Sequence, residues 1–219
     1  SAAVEEVSFT EDEVPPVALI NKPLVRPFEA VTNIYGKPAY HELDPTGALS
    51  LFFLISFGLA LTDAGYGIVM MVTMFVAERF FRLKREMRKM VRLLFYAGAA
   101  TTVLGALTGG WFGITLEELP AGTIRDLLLS WKVIDPISNP IGLLLVSFAI
   151  GIVQLLAAWG VRGYHNWTTG NKLSVFLDDV PWITMVTFIL LWAGANQGVF
   201  LVNAVGILKW AAIANAIFL

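Results

Sequence analysis

Residues 47–80 read GALSLFFLISFGLALTDAGYGIVMMVTMFVAERF. As one helix these 34 residues would run about 51 Å, far beyond a hydrocarbon core of roughly 30 Å. In the middle, Thr62-Asp63-Ala64-Gly65-Tyr66-Gly67 sets a charge and two glycines between two apolar runs. The stretch therefore reads as a tight helical hairpin with arms at 47–61 and 66–80. Each arm is about 22 Å long and stops short of the far membrane surface. Irregular backbone and a carboxylate at that depth are tolerated only inside protein or beside a water-filled cavity.

The rest of the chain repeats the theme. Asp, Glu, Lys and Arg are absent from 45–62, 93–116, 136–161 and 180–208, runs of 18, 24, 26 and 29 residues. Apolar residues make up 57% of the 219, charged residues 15%, and the mean hydropathy is +0.70. A soluble domain carries about 25% charged residues. The expected fold is all-α, a polytopic bundle of about six membrane-crossing helices at 47–61, 66–80, 93–113, 140–160, 181–196 and 199–219. They follow a pre-membrane segment at 1–46. A soluble enzyme, a nucleic-acid binder and a disulfide-stapled secreted domain are excluded. Cysteine is absent, so thiol chemistry is excluded too. A net charge of −2 points to no polyanionic partner.

Seven of the 15 basic residues lie between Arg79 and Arg92, which puts that loop in the cytoplasm by the positive-inside rule. The pre-membrane segment, with Lys22, Arg26 and Lys37, is expected on the same side, as is 161–179. The loop 114–139 is acidic on balance and expected outside. Trp111, Trp131, Trp167, Trp182 and Tyr164 fall near the expected span ends, as an interfacial aromatic belt does. Gly105, Gly109 and Gly113 recur at four-residue spacing and suit close helix packing. Residues 5–13 with Pro15-Pro16 read as a solvated linker. The start at Ser1 and the unanchored apolar end at Leu219 suggest a segment of a longer polypeptide.

Asp63 is the one acidic residue inside an apolar run. It can cap the second arm, where a carboxylate accepts backbone N–H groups at the positive end of the helix dipole. It can also line an ion pathway, as intramembrane carboxylates usually do. Gly65 and Gly67 are expected to shape the turn and leave room for a hydrated pocket. Glu117 stands in the outer loop, where it either collects protons or is simply solvated. His165 and His41 are read as surface residues, with a proton role open for His165. Gln154 can bridge helices by hydrogen bonding. Lys209 reads as a snorkelling lysine, and Asp178-Asp179 before Pro181 as a helix start. No phosphate-cradling loop, paired metal-binding histidines or nucleophile elbow occurs. No cofactor, metal or catalytic residue is therefore expected.

Several motifs occur in one order: Asn21-Lys-Pro-Leu-Val-Arg-Pro-Phe-Glu29, Tyr35-Gly-Lys-Pro-Ala-Tyr40, Glu42-Leu-Asp-Pro-Thr46 and Phe57-Gly-Leu-Ala-Leu-Thr-Asp-Ala-Gly-Tyr-Gly67. Together they resemble the membrane domain of subunit I, the subunit a family of V-type and A-type rotary ATPases. The resemblance runs from about residue 15 to 192. It implies a non-catalytic stator subunit of an ATP-driven proton translocase or ATP synthase. Such a subunit sits in a prokaryotic plasma membrane and lines ion half-channels for protons, or sodium in some members. Its partners would be the proteolipid ring, the peripheral stalks and other rotary ATPase subunits in the lipid bilayer, with no nucleic acid. The ion-pathway residues would be Asp63, Gln154, His165 and Glu117. Thr62 stands where the family usually has glycine, and Gln154 where many members have histidine. The family's ring-facing arginine helix does not occur before Leu219, so this segment is not expected to move ions alone. The competing readings are half of a secondary transporter, whose signature is a broken helix, and a purely structural membrane anchor.

Overall fold

The computed structural model describes residues 17–39, 42–114, 116–196 and 204–218, side chains to 217. His41, the linker at 5–13 and the expected turn at Gln197-Gly198 lie outside the described residues. Among the described residues the fold is all-helical: α1 (Glu29–Tyr35), α2 (Thr46–Leu61), α3 (Ala64–Phe80), α4 (Arg85–Thr108), α5 (Thr123–Trp131), α6 (Pro140–Thr168), α7 (Lys172–Ser174), α8 (Val180–Asn196) and α9 (Val205–Phe218). Among the described residues three stretches are long and apolar enough to cross a membrane: Arg85–Thr108, Pro140–Thr168 and Lys172–Asn196. The chain divides into two compact units, ending and beginning at Ser147 and Phe148.

In the first unit α2 and α3 are the two arms of the hairpin, about 24 and 26 Å long at 16 and 17 residues. They do not pack on each other; each lies against α4. The contacts fix the directions. Gly58 of α2 meets Ala100 and Leu104, while Gly67 of α3 meets Gly98 and Thr102 and Gly98 meets Met71. At the other end Arg92 pairs with Glu78 at 2.6 Å. So α3 runs antiparallel to α4 and α2 runs parallel to it. Small residues allow this approach. A Cβ on Gly105 would stand 2.1 Å from the Ala64 amide nitrogen, and one on Gly67 2.5 Å from that of Thr102. Only backbone-to-backbone contact fits there. Of the three spaced glycines, Gly105 alone lies within α4; Gly109 ends it with φ +79° and Gly113 lies in the following loop.

The pre-membrane segment is folded where it meets the helices. A 3₁₀ turn at Arg26–Phe28 leads into α1. Buried Phe28 sets its ring edge-on to Phe53 of α2 at 6.0 Å and stacks on Tyr96 of α4 at 6.3 Å. Thr32 shares a 2.8 Å hydroxyl hydrogen bond with the fully buried Thr46. Asn21 donates to the Asp44 carboxylate at 2.7 Å, and Asp44 in turn accepts the Thr46 amide at 2.9 Å. Burial opposes ionisation of Asp44, but bonds from Thr46 and Asn21 outweigh it and hold the carboxyl below its ordinary range. The quoted motifs around Asn21, Glu29 and Asp44 thus converge on the start of α2.

In the second unit α8 and α9 pack together, with Asn215 donating to the Thr184 hydroxyl at 2.6 Å. Between α7 and α8 the chain makes a π turn at Val175–Asp179, where the Val180 amide reaches back to the Val175 carbonyl. Pro181 explains it. A proline ring would clash with the carbonyl four residues back and supplies no N–H, and widening the turn removes the conflict. The expected helix start at Asp178-Asp179 is therefore a π turn within a longer helical stretch.

Candidate functional site: the aspartate turn

The hairpin turn is two residues long. Thr62 is left-handed (φ 48°, ψ 28°) and Asp63 extended (φ −135°, ψ 111°). A β-branched residue in the left-handed region costs roughly 1–2 kcal/mol. We expect Thr62→Gly to recover part of this, offset by glycine's greater freedom when unfolded. The net gain should be about 0.5–1 kcal/mol, read as a higher unfolding temperature in detergent. A lower one would mean the threonine side chain more than repays its backbone.

Asp63 is the N-cap of α3, and its Oδ1 accepts the Tyr66 amide at 3.0 Å. The same oxygen accepts the Phe112 amide at 3.0 Å, and Oδ2 accepts that of Gly113 at 2.8 Å. Phe112 (φ 55°) and Gly113 (φ 71°) are both at positive φ, so consecutive N–H groups turn onto one carboxylate. Two further bonds close the turn: the Ala64 amide donates to the Gly110 carbonyl at 2.8 Å, and the Thr108 hydroxyl to the Thr62 carbonyl at 3.2 Å. Asp63 is 7% exposed. A charge held by three donors is the arrangement that makes such burial tolerable. The carboxylate thus ties the hairpin to the end of α4.

Gly65 and Gly67 lie in the first turn of α3, but the room they leave is filled. The Phe112 ring occupies the space beside Gly65, where a Cβ would come within 2.5 Å of it, and the α4 backbone occupies that beside Gly67. The hydrated pocket expected at these glycines is replaced by protein. Phe112 also packs edge-on against Tyr66 at 5.6 Å.

Glu117 lies in the loop after this turn and pairs with Lys132 at 2.8 Å; Lys132 also reaches Asp135 at 2.9 Å. The Lys132 stem passes over Gly109, and the Val133 amide donates to the Leu107 carbonyl at 2.8 Å. This ionic cluster therefore sits at the same end of α4 as Asp63. Bonds from Lys132 hold both carboxyls low, and the Glu117 bond first, then Asp135, holds the Lys132 ammonium high. The depressed carboxyls keep the cluster charged as pH falls below the ordinary carboxylate range. The raised lysine keeps it so above the ordinary lysine value.

The other two candidates belong to the second unit. Gln154 is an exposed residue midway along α6. His165, near the end of α6, is half-buried, and its carbonyl accepts the Thr169 amide at 2.9 Å. One turn before His165, Arg162 Nε lies 2.8 Å from the Asp179 carboxylate, and Asn166 donates to Asp179 at 2.9 Å. Asp179 is 1% exposed. This cluster around a buried carboxylate was not singled out from the sequence, although the proline two residues on was the available signal.

Apolar helices that leave Leu144, Leu145, Phe148 and Val153 of α6 uncovered, joined by a charged turn secured from within, define a helical integral membrane protein. No family model matches the chain. It is, however, similar to subunit I of A-type and V-type ATP synthases. It is 29% identical over 91% of its length to the A-type ATP synthase subunit I of Methanocaldococcus jannaschii. It is 32% identical over 89% to that of Pyrococcus abyssi, and 28% identical over 68% to the V-type ATP synthase subunit I of Borreliella burgdorferi. The chain spans 34%, 28% and 24% of these relatives' own lengths, respectively.

Proposed function

We propose that this chain is part of the membrane stator subunit of a proton-translocating rotary ATPase. It contributes to the ion half-channels beside a ring of proteolipid subunits, carries no catalytic residue of its own, and works with peripheral stalks and the other subunits of the complex. In this reading α2, α3, α4, α6, α8 and α9 supply six crossings, and the basic end of α4 faces the cytoplasm. The observation that carries it is the similarity to subunit I proteins across nine-tenths of the chain. Asp63, Gln154, His165 and Glu117 are the proton-route candidates. Asp63 has a second, structural task, supported by the three backbone amides on its carboxylate.

The test is reconstitution of the complete complex in liposomes. With the subunit present, ATP should drive acidification of the lumen. Complexes lacking it should keep ATP hydrolysis in their soluble head and lose acidification. Acidification at the full rate without the subunit would overturn the reading.

A further inference from the structure

At the end of the first unit opposite the aspartate turn lies an open cavity of about 370 Å³. Five cations line it: Arg26 from the 3₁₀ turn, and Arg85, Arg88, Lys89 and Arg92 from α4. Lys89 is engaged by Glu29 at 3.0 Å and Glu86 at 3.4 Å, and Arg92 by Glu78. Among the described residues Arg26, Arg85 and Arg88 make no ion pair. Among the described residues the cavity therefore holds an excess of positive charge.

Two independent features sharpen this. The N-terminus of α4 carries no side-chain cap, and its first turn holds one acid, Glu86. Placing Arg85, Arg88 and Lys89 at the positive end of a helix dipole opposes the favourable arrangement, and an anion there would relieve both the dipole and the unpaired amides. Leu83 lines the cavity as well, and apolar side chains stand in the open close in sequence to its lining residues. Leu24, two residues before Arg26, is 69% exposed, and Phe80 and Phe81, at the end of α3, are 76% and 66% exposed. Arg92 is the last charge before the apolar body of α4, so the cavity opens where the helices begin to be hydrophobic. A cationic hollow with exposed apolar residues adjacent in sequence to its lining fits a ligand with an anionic head and a hydrocarbon tail.

We propose that this cavity binds the phosphate of an anionic membrane phospholipid. Arg26, Arg85 and Arg88 contact the phosphate oxygens, and Leu24, Phe80 and Phe81 lie along the acyl chains. The site does not depend on the stator reading.

The test uses the full-length protein in detergent, with native mass spectrometry reading bound dioleoyl phosphatidylglycerol, dioleoyl phosphatidylcholine or inorganic phosphate. Arg26→Gln/Arg88→Gln should weaken phosphatidylglycerol binding about tenfold or more, since each basic residue near an anionic lipid is worth about a factor of five. Arg79→Gln/Arg82→Gln removes two cations of the same loop from outside the cavity and should change it by less than about twofold. Phosphatidylcholine should bind weakly to all three proteins. The single variant Arg85→Gln repeats the measurement should the double variant fail to fold. Inorganic phosphate binding as tightly as phosphatidylglycerol would assign the cavity to a soluble anion and overturn the lipid. Equal phosphatidylglycerol affinity of the wild type and the cavity variants would overturn the site.

Discussion

Gly105→Leu is expected to abolish the packed state of the first unit. The missing side chain is what lets α4 touch the start of α3: even a Cβ would stand 2.1 Å from the Ala64 nitrogen and 2.4 Å from the Asp63 carbonyl carbon. Those neighbours are backbone, so no rotamer change can make room. The helices must separate, which breaks the Ala64–Gly110 and Thr108–Thr62 bonds at the same time. Overpacking costs about 1–3 kcal/mol where side chains can shift, and more where they cannot. Adding two hydrogen bonds at about 1 kcal/mol each, the loss approaches the few kcal/mol that hold a domain together. Gly151→Leu makes the control, because nothing lies within 4 Å of its Cβ position. Trypsin digestion of the membrane-inserted protein should cut the Gly105 variant faster while sparing the control. Equal resistance would show that α3 and α4 can part without consequence.

Asp63→Ala is expected to be nearly as damaging by the opposite route, through loss of an acceptor. It leaves the Tyr66, Phe112 and Gly113 amides without their acceptor at a position that is 7% exposed. At about 1–3 kcal/mol for each buried donor left unsatisfied, the clasp loses several kcal/mol and the complete complex should fail to assemble. Asp63→Asn separates structure from transport. Its single oxygen can still accept the Tyr66 and Phe112 amides, while its amide nitrogen would face the Gly113 donor. Assembly should therefore survive with some loss of stability. If the carboxylate also exchanges protons, ATP-driven acidification by the Asp63→Asn complex should slow. Normal acidification by Asp63→Asn beside failed assembly of Asp63→Ala would make the residue a clasp and nothing else.

The hairpin, its break and the capping use of Asp63 are legible in the sequence because they are local. A charge between two apolar runs has few places to go, and a carboxylate three residues before an amide is a cap. What could not be read is the third body. The amides of Phe112 and Gly113 come from 49 and 50 residues along the chain, and no periodicity reports that distance. Nor could it be seen that the space at Gly65 is taken by the Phe112 ring, since a glycine announces room without saying what enters it. The pre-membrane motifs supported the resemblance before they had a physical explanation. In the structure, Asn21 and Asp44 secure the start of α2, and Glu29 takes Lys89 of α4.

The arms of the hairpin flank α4 and pack on it rather than on each other, and this governs the order in which the protein can be made. Synthesis delivers α2 and α3 first and their shared neighbour last. The glycine faces of both arms have no mate until α4 enters, and the Asp63 carboxylate waits a further 50 residues for the Gly113 amide. At about 5–20 residues per second that interval is roughly 3–10 s. Throughout it, a charged turn must be kept wet by the insertion machinery or by lipid headgroups, because the donors that let the carboxylate be buried have not yet been made.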